Sequence, residues 1–154
     1  MVYPTQINIP AQQPPPPEPA LLSTCRRIRK EARGIYYGEN IFFFHIQSFD
    51  ATILCRFIDR SRAHNETSRR VTFSGSPNWS NLRDWLRFTH DTGEGGLGQI
   101  KCTRPEDKDI SLAAMCLDIA GGLRDRDVEW EIVEEVLETI RRGLEAVDPA
   151  WGWD

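Results

Sequence analysis

A helical apolar stripe that runs straight into an aromatic strand is the tightest constraint on this fold. Leu22, Cys25, Ile28, Ala32, Ile35 and Tyr36 recur at three- and four-residue spacing, which predicts an amphipathic helix over residues 20–37. Ile41 to Ile46 follow at once as an almost unbroken apolar run with three consecutive phenylalanines, the composition of a buried strand. The run lacks polar alternation, so cover on both faces is expected. Gly38, with Asn40 after it, is placed to accept positive φ and reverse the chain between the two elements. Tyr36 is expected in the core.

The rest of the chain repeats that alternation less clearly. A second helix is expected over 48–61, with Ser48 or Asp50 near its N-cap and Phe49, Ile53, Leu54, Phe57 and Ile58 on its buried face. A short strand follows around Val71 and Phe73, ended by Gly75-Ser76-Pro77. A third helix over 79–90 presents Leu82, Trp85, Leu86 and Thr89 on one side, and a short strand fits 99–103. Residues 109–121 read as an apolar helix stopped by Gly121-Gly122. The last helix, 127–147, is expected to turn Ile132, Val133, Val136, Leu137, Ile140, Leu144 and Val147 inward, with acids near its start where the helix dipole favours them. The fold class is therefore α+β: a helix-rich single domain of about five helices and two or three short strands. The partial repetition of helix and strand gives it a leucine-rich-repeat-like character in part.

Residues 1–19 hold seven prolines. Proline removes backbone donors and favours extended polyproline conformation, so this segment is expected to be a disordered lead-in that packs as neither helix nor sheet. Pro14 and Pro17 give a P-x-x-P spacing suited to SH3 or WW domains, without a flanking arginine. The globular domain is placed at 20–148 and an aromatic tail at 149–154; no rule of sequence decides whether Trp151 and Trp153 fold back.

A net charge of −4 weighs against non-specific nucleic-acid binding. No apolar run reaches the ~18 residues that span a bilayer. The first residues have neither the basic nor the apolar region of a signal peptide, so a cytoplasmic or nuclear location is expected. Cys25, Cys55, Cys102 and Cys116 are widely separated and are read as free thiols of a reducing compartment.

The catalytic motifs fail on context. Gly93-Glu94-Gly95-Gly96-Leu97-Gly98 matches G-x-G-x-x-G in letters, but follows a helix where the dinucleotide fingerprint follows a strand; a surface loop is the expected form. His45, His64 and His90 lack metal-site spacing, and the cysteines form no C-x-x-C pair. His45 is expected to be a partly buried histidine. No nucleophile elbow, phosphate loop or kinase signature occurs, so no catalytic residue, cofactor or metal is assigned. Arg26, Arg27, Arg29, Lys30 and Arg33 form the one charged cluster that suits an anionic partner; its ordinary alternative is the solvated side of the first helix. A nucleic-acid role would need these arginines to converge with Arg69 and Arg70.

Leu21-Leu22-x-x-Cys25-Arg26-x-Ile28-x-x-Glu31-Ala32, followed by Tyr36-Tyr37-Gly38-Glu39-Asn40-x-Phe42-x-Phe44, resembles a segment widespread in the F-box-like and F-box-associated proteins of filamentous fungi. Cys55-Arg56-Phe57-Ile58-Asp59-Arg60 and Arg70-Val71-Thr72-Phe73 echo the helix and strand that follow in that family. The resemblance covers about residues 20–75. It implies an intracellular, non-enzymatic protein-interaction module, such as the remnant of a substrate adaptor in ubiquitin ligation. The F-box-like helix that opens such proteins is replaced here by the proline-rich segment. An inactive enzyme paralogue or fragment with a small-molecule pocket is the alternative reading.

Overall fold

A computed structural model describes residues 5–9, 19–23, 25–62, 67–96, 101–102 and 107–152. Among these residues the chain forms a helix-rich α+β domain. Its strands are β1 (Gln6–Ile9), β2 (Ile41–Gln47), β3 (Ser68–Ser74) and β4 (Lys101–Cys102); its helices are α1 (Arg26–Glu39), α2 (Thr52–Ser61), α3 (Trp79–Thr92), α4 (Lys108–Arg124) and α5 (Trp130–Val147). The strands pair in sequence order, β1-β2-β3-β4, and every pair is parallel. Each of the first three strands is followed by a helix that returns the chain to the end of the sheet where the strands begin, one strand further along, as parallel pairing requires.

The helices α1 to α3 cover one face of the sheet. Phe42, Phe44 and Ile46 of β2 are buried there with Ile9 of β1 and Val71 of β3. Tyr37 from α1 and Phe57 from α2 pack on Phe42 at ring separations of 6.0 and 4.5 Å. Phe73 of β3 stacks on Trp85 of α3 at 6.2 Å. Trp151, in a short 3-10 turn over Pro149–Gly152, is fully buried and stacks on Phe49 at 5.8 Å. The C-terminal tail is therefore part of the core as far as Trp151.

The expected lead-in at 1–19 contains a strand. Gln6-Ile7-Asn8-Ile9 alternates polar and apolar residues, and Ile9 lies opposite Phe44 with 2% exposure. Pro4 and Pro10 flank this strand rather than interrupt it, and its edge position tolerates them. Residues 10–18, with the P-x-x-P spacing, lie outside the described residues.

Three glycine stops are corrected. Gly38 lies inside α1, which continues to Glu39 and ends at Asn40 in extended conformation. The Asn40 side chain donates to the Tyr36 carbonyl at 2.7 Å and so satisfies one of the last-turn acceptors. Gly121 and Gly122 likewise lie inside α4, which runs to Arg124. Left-handed glycines occur instead at Gly75, Gly93 and Gly95. Ser48 and Phe49 also take positive φ, 48° and 61°, in the turn after β2. That turn is fixed by Ser48 N–H donating to Ser74 O at 2.8 Å, by Asn81 donating to Ser48 O at 2.9 Å, and by the burial of Phe49. The second helix therefore begins at Thr52, whose N–H is accepted by the Asp50 carboxylate at 3.0 Å.

The stripe of α1 is only partly core. Ala32 and Tyr37 are buried and Tyr36 packs against the core, whereas Cys25, Ile28 and Ile35 are exposed. On α5, Trp130, Val133 and Leu137 are buried, while Ile132, Val136 and Val147 face solvent. α3 agrees with its sequence pattern: Leu82, Trp85, Leu86 and Thr89 are all buried. No helix among the described residues is long and apolar enough to cross a membrane.

Candidate interaction surface

Among the described residues the side chains on the second face of the sheet are exposed or half-buried, which corrects the expectation of cover on both sides. β2 alternates after all: Phe42, Phe44 and Ile46 point inward, while Ile41, Phe43, His45 and Gln47 occupy the outer face. The sheet's two-residue side-chain period then places Ser68, Arg70, Thr72 and Ser74 of β3 beside them. Gln6 and Asn8 of β1 pair with Ile41 and Phe43 and extend the same face. Phe43 and Arg70 are half-buried; His45, Gln47 and Ser74 are exposed.

Register brings these groups into two clusters. The Arg70 guanidinium lies over the Phe43 ring, 5.6 Å from its centroid, where the ring's quadrupole attracts a cation. His45 is held at both ring nitrogens, Nδ1 against Thr72 Oγ1 at 3.0 Å and Nε2 against Ser74 Oγ at 2.8 Å. A hydroxyl both donates and accepts, so Thr72 and Ser74 can satisfy either tautomer of a neutral imidazole. The Thr72 hydroxyl also reaches Phe44 O at 3.4 Å. The result is an imidazole fixed in orientation on an exposed sheet, next to an aromatic–guanidinium pair. His45 is thus an exposed, hydrogen-bonded residue and not the partly buried one expected.

The basic cluster of α1 does not form one free patch. Arg26, Arg27 and Lys30 are exposed; Arg29 and Arg33 are partly buried and engaged in contacts of their own. Arg27 pairs with Glu31 at 3.4 Å, the i,i+4 geometry that adds a few tenths of a kcal/mol. Arg69 and Arg70 point to opposite faces of β3 and do not converge. Arg69 lies on the helix-covered face, where burial lowers its pKa and the nearby Glu94 opposes that shift.

A cleft of about 270 Å³ lies between α2 and α3, lined by Asp50, Cys55, Asp59, Asn81 and Asp84 among others. Burial, reinforced by Asp59 and Asp50, pushes the Cys55 thiol up to about 12; such a thiol is almost wholly protonated at neutral pH and a poor nucleophile. Burial also raises Cys116, to about 11. The glycine motif is read only as far as Gly96, since 97–100 lie outside the described residues. Gly93 caps α3 in the left-handed conformation, its N–H donating to Thr89 O. Gly95 is buried and its carbonyl accepts the Trp85 indole N–H at 3.1 Å, so this part of the loop packs on the helix layer. His90 contacts Val128 O at 2.9 Å and the Trp130 ring, a structural role. Among the described residues no three His, Cys, Asp or Glu side chains gather as metal ligands.

Sequence reasoning missed the outer face because its groups belong to different strands: His45 and Thr72 are 27 positions apart. The alternation in Arg70-Val71-Thr72-Phe73-Ser74 was the available signal. Compared with protein-family models, with curated proteins and with solved structures, the chain matches none.

Proposed function

We propose that this domain is a non-catalytic protein-interaction module that engages its partner with the open face of the sheet. The carrying observation is the ordered outer row of β2 and β3, in which Phe43, Arg70 and His45 are exposed or half-buried yet held in place by neighbours on the same sheet. Side chains fixed before binding lose little entropy on association. Aromatic and arginine anchors are the residue types that dominate protein interfaces. The F-box-associated resemblance points the same way and supplies the more specific reading, an intracellular substrate-adaptor remnant in ubiquitin ligation. The cleft between α2 and α3 gives the enzyme alternative little support, since its thiol is pushed away from reactivity.

The test is affinity capture from a filamentous-fungal extract with the wild-type chain and with Phe43→Ala/Arg70→Ala. Partners held by the wild type and lost by the variant, with an unchanged melting temperature, are the expected result. A capture profile indifferent to the double substitution would place recognition elsewhere. Absence of ligase subunits from every wild-type capture would remove the ubiquitin reading and leave the binding surface standing.

A further inference from the structure

Arg69 and Arg70 are neighbours in sequence on opposite faces of β3, and they differ in counter-charge. Arg69, on the helix-covered face, has Glu94 near enough to oppose the effect of burial. Arg70, half-buried on the outer face, lies over the Phe43 ring at 5.6 Å. It takes part in no ion pair among the described residues. The ten residues in the outer rows of β1, β2 and β3 include one guanidinium, one imidazole and no carboxylate. This is a property of the face and runs against that of the chain, which holds 23 Asp and Glu to 19 Lys and Arg. The imidazole is already held at both nitrogens by Thr72 and Ser74. The charge without an opposite on this face is that of Arg70.

We infer, resting on the open face as the interaction surface, that the segment it takes is acidic: an extended peptide whose carboxylate pairs with Arg70 and which carries an apolar side chain two residues away. A guanidinium held over a ring keeps its N–H groups for an acceptor, and their fork matches the two oxygens of a carboxylate. Its fixed position over Phe43 reduces the entropy lost on binding. One guanidinium balances one carboxylate. Phosphate groups are met by clusters of arginines, and no second arginine or lysine stands in these rows. The apolar requirement comes from Ile41, half-buried two residues before Phe43 on the same row. Alternate side chains of an extended chain stand about 7 Å apart, the step that separates Ile41 from Phe43. A peptide laid along β2 therefore brings its carboxylate to Arg70 when its apolar side chain rests on Ile41. Past Arg70 the row turns polar, with His45 and Gln47, and an apolar group gains nothing there.

Selection of a phage-displayed library of random linear peptides on the full chain tests this. The recovered sequences should be enriched in Asp or Glu with Ile, Leu or Phe two positions away. For the tightest of them, changing the acid to its amide in the peptide should weaken binding at least about tenfold by calorimetry. Arg70→Gln in the protein should weaken it by the same factor, and the two changes together by no more than either alone, because each removes the same pair. Arg70→Glu should turn the selection toward Lys and Arg. Peptides that lack an acid yet are lost by Phe43→Ala/Arg70→Ala would overturn the acidic partner and leave the interaction surface standing. Peptides that bind this double variant as well as the wild type would overturn both. A library that yields no binder, or a single-stranded oligothymidylate that binds more tightly than the best peptide, would likewise overturn the acidic peptide. The amide change leaves the protein untouched, so the outcome stands even if an Arg70 variant melts early.

Discussion

The two faces of β2 are built from the same few residues, and they behave differently because of what lies across from them. Phe42 and Phe44 meet the rings of α1 and α2, and with Ile46 they lose almost all contact with water. Phe43 and His45, one step along, meet neighbours on the adjacent strand and keep part of their surface in water. Apolar character alone therefore does not say which phenylalanine is core. The pleat does, because successive side chains leave a strand on opposite sides. The inner row determines whether the chain folds, and the outer row determines what the folded chain presents.

The largest expected effect separates neighbours in sequence. Phe42→Ala should cost about 3–5 kcal/mol, the range for deleting a buried aromatic side chain. Phe43→Ala should cost about 1 kcal/mol or less, as half-buried surface positions do. Urea unfolding of the two variants checks this, and equal losses would erase the distinction between the faces.

That distinction shows where the sequence was legible. α3 presented its face correctly because Leu82, Trp85 and Leu86 sit on a covered stripe, and α2 did so at Leu54, Phe57 and Ile58, with Ile53 half-buried and Phe49 in the turn before the helix. α1 and α5 have equally clear periodicity, but periodicity reports a stripe and not what covers it; Ile35 and Ile132 fulfil the pattern and still face solvent. β1 was hidden by averaging a four-residue alternation into its proline-rich surroundings. The glycines misled because a glycine can also keep helical backbone: Gly38 lies inside α1, which Asn40 caps with its side chain, and Gly121 and Gly122 lie inside α4, which runs on to Arg124. The outer clusters of the sheet depend on register between strands, which no local pattern encodes.

A smaller effect lies at the rim where β2 and β3 end together. Gly75 has φ +80°, and a Cβ there would stand 2.6 Å from Ser48 Oγ. Gly75→Ala should therefore destabilise by about 1–3 kcal/mol, through both the unfavourable backbone and the crowding. A thermal melt that matches the wild type would show that the paired turns after β2 and β3 are looser than the strands they join.

Polar clusters sharpen the same contrast. Between α3 and α5, Glu138 accepts from the Trp79 indole at 2.8 Å and from Arg141 at 2.7 Å. Burial alone would raise its pKa, but the Arg141 and Trp79 hydrogen bonds outweigh that and lower it. A carboxyl lowered in the folded state stabilises the fold above its ordinary value of 4.5 and loses that contribution as pH falls through the folded value. Glu138→Gln should thus cost about 0.5–1 kcal/mol at neutral pH, held down by solvent screening, and progressively less as the pH drops below 4.5. Chemical denaturation at a series of pH values checks this; a difference that is constant with pH would refute the assigned ties.

An effect of the same small size reads the outer face directly. If Arg70 is held over Phe43 by the ring's quadrupole, the two contributions are coupled, and a double-mutant cycle isolates that coupling from the cost of each truncation. Phe43→Leu keeps an apolar side chain while removing the ring, and Arg70→Gln keeps a polar donor while removing the charge. The cycle should yield a coupling of about 0.5–1 kcal/mol, as expected for an exposed cation–π pair, and raising the salt should diminish it only slightly because the partners are in contact. A coupling of zero would mean that Arg70 samples other positions and that the surface organises itself only on binding. A measurable coupling means that the open face already holds its anchors in place, as the inner face holds its rings, with water on one side where the helices would be.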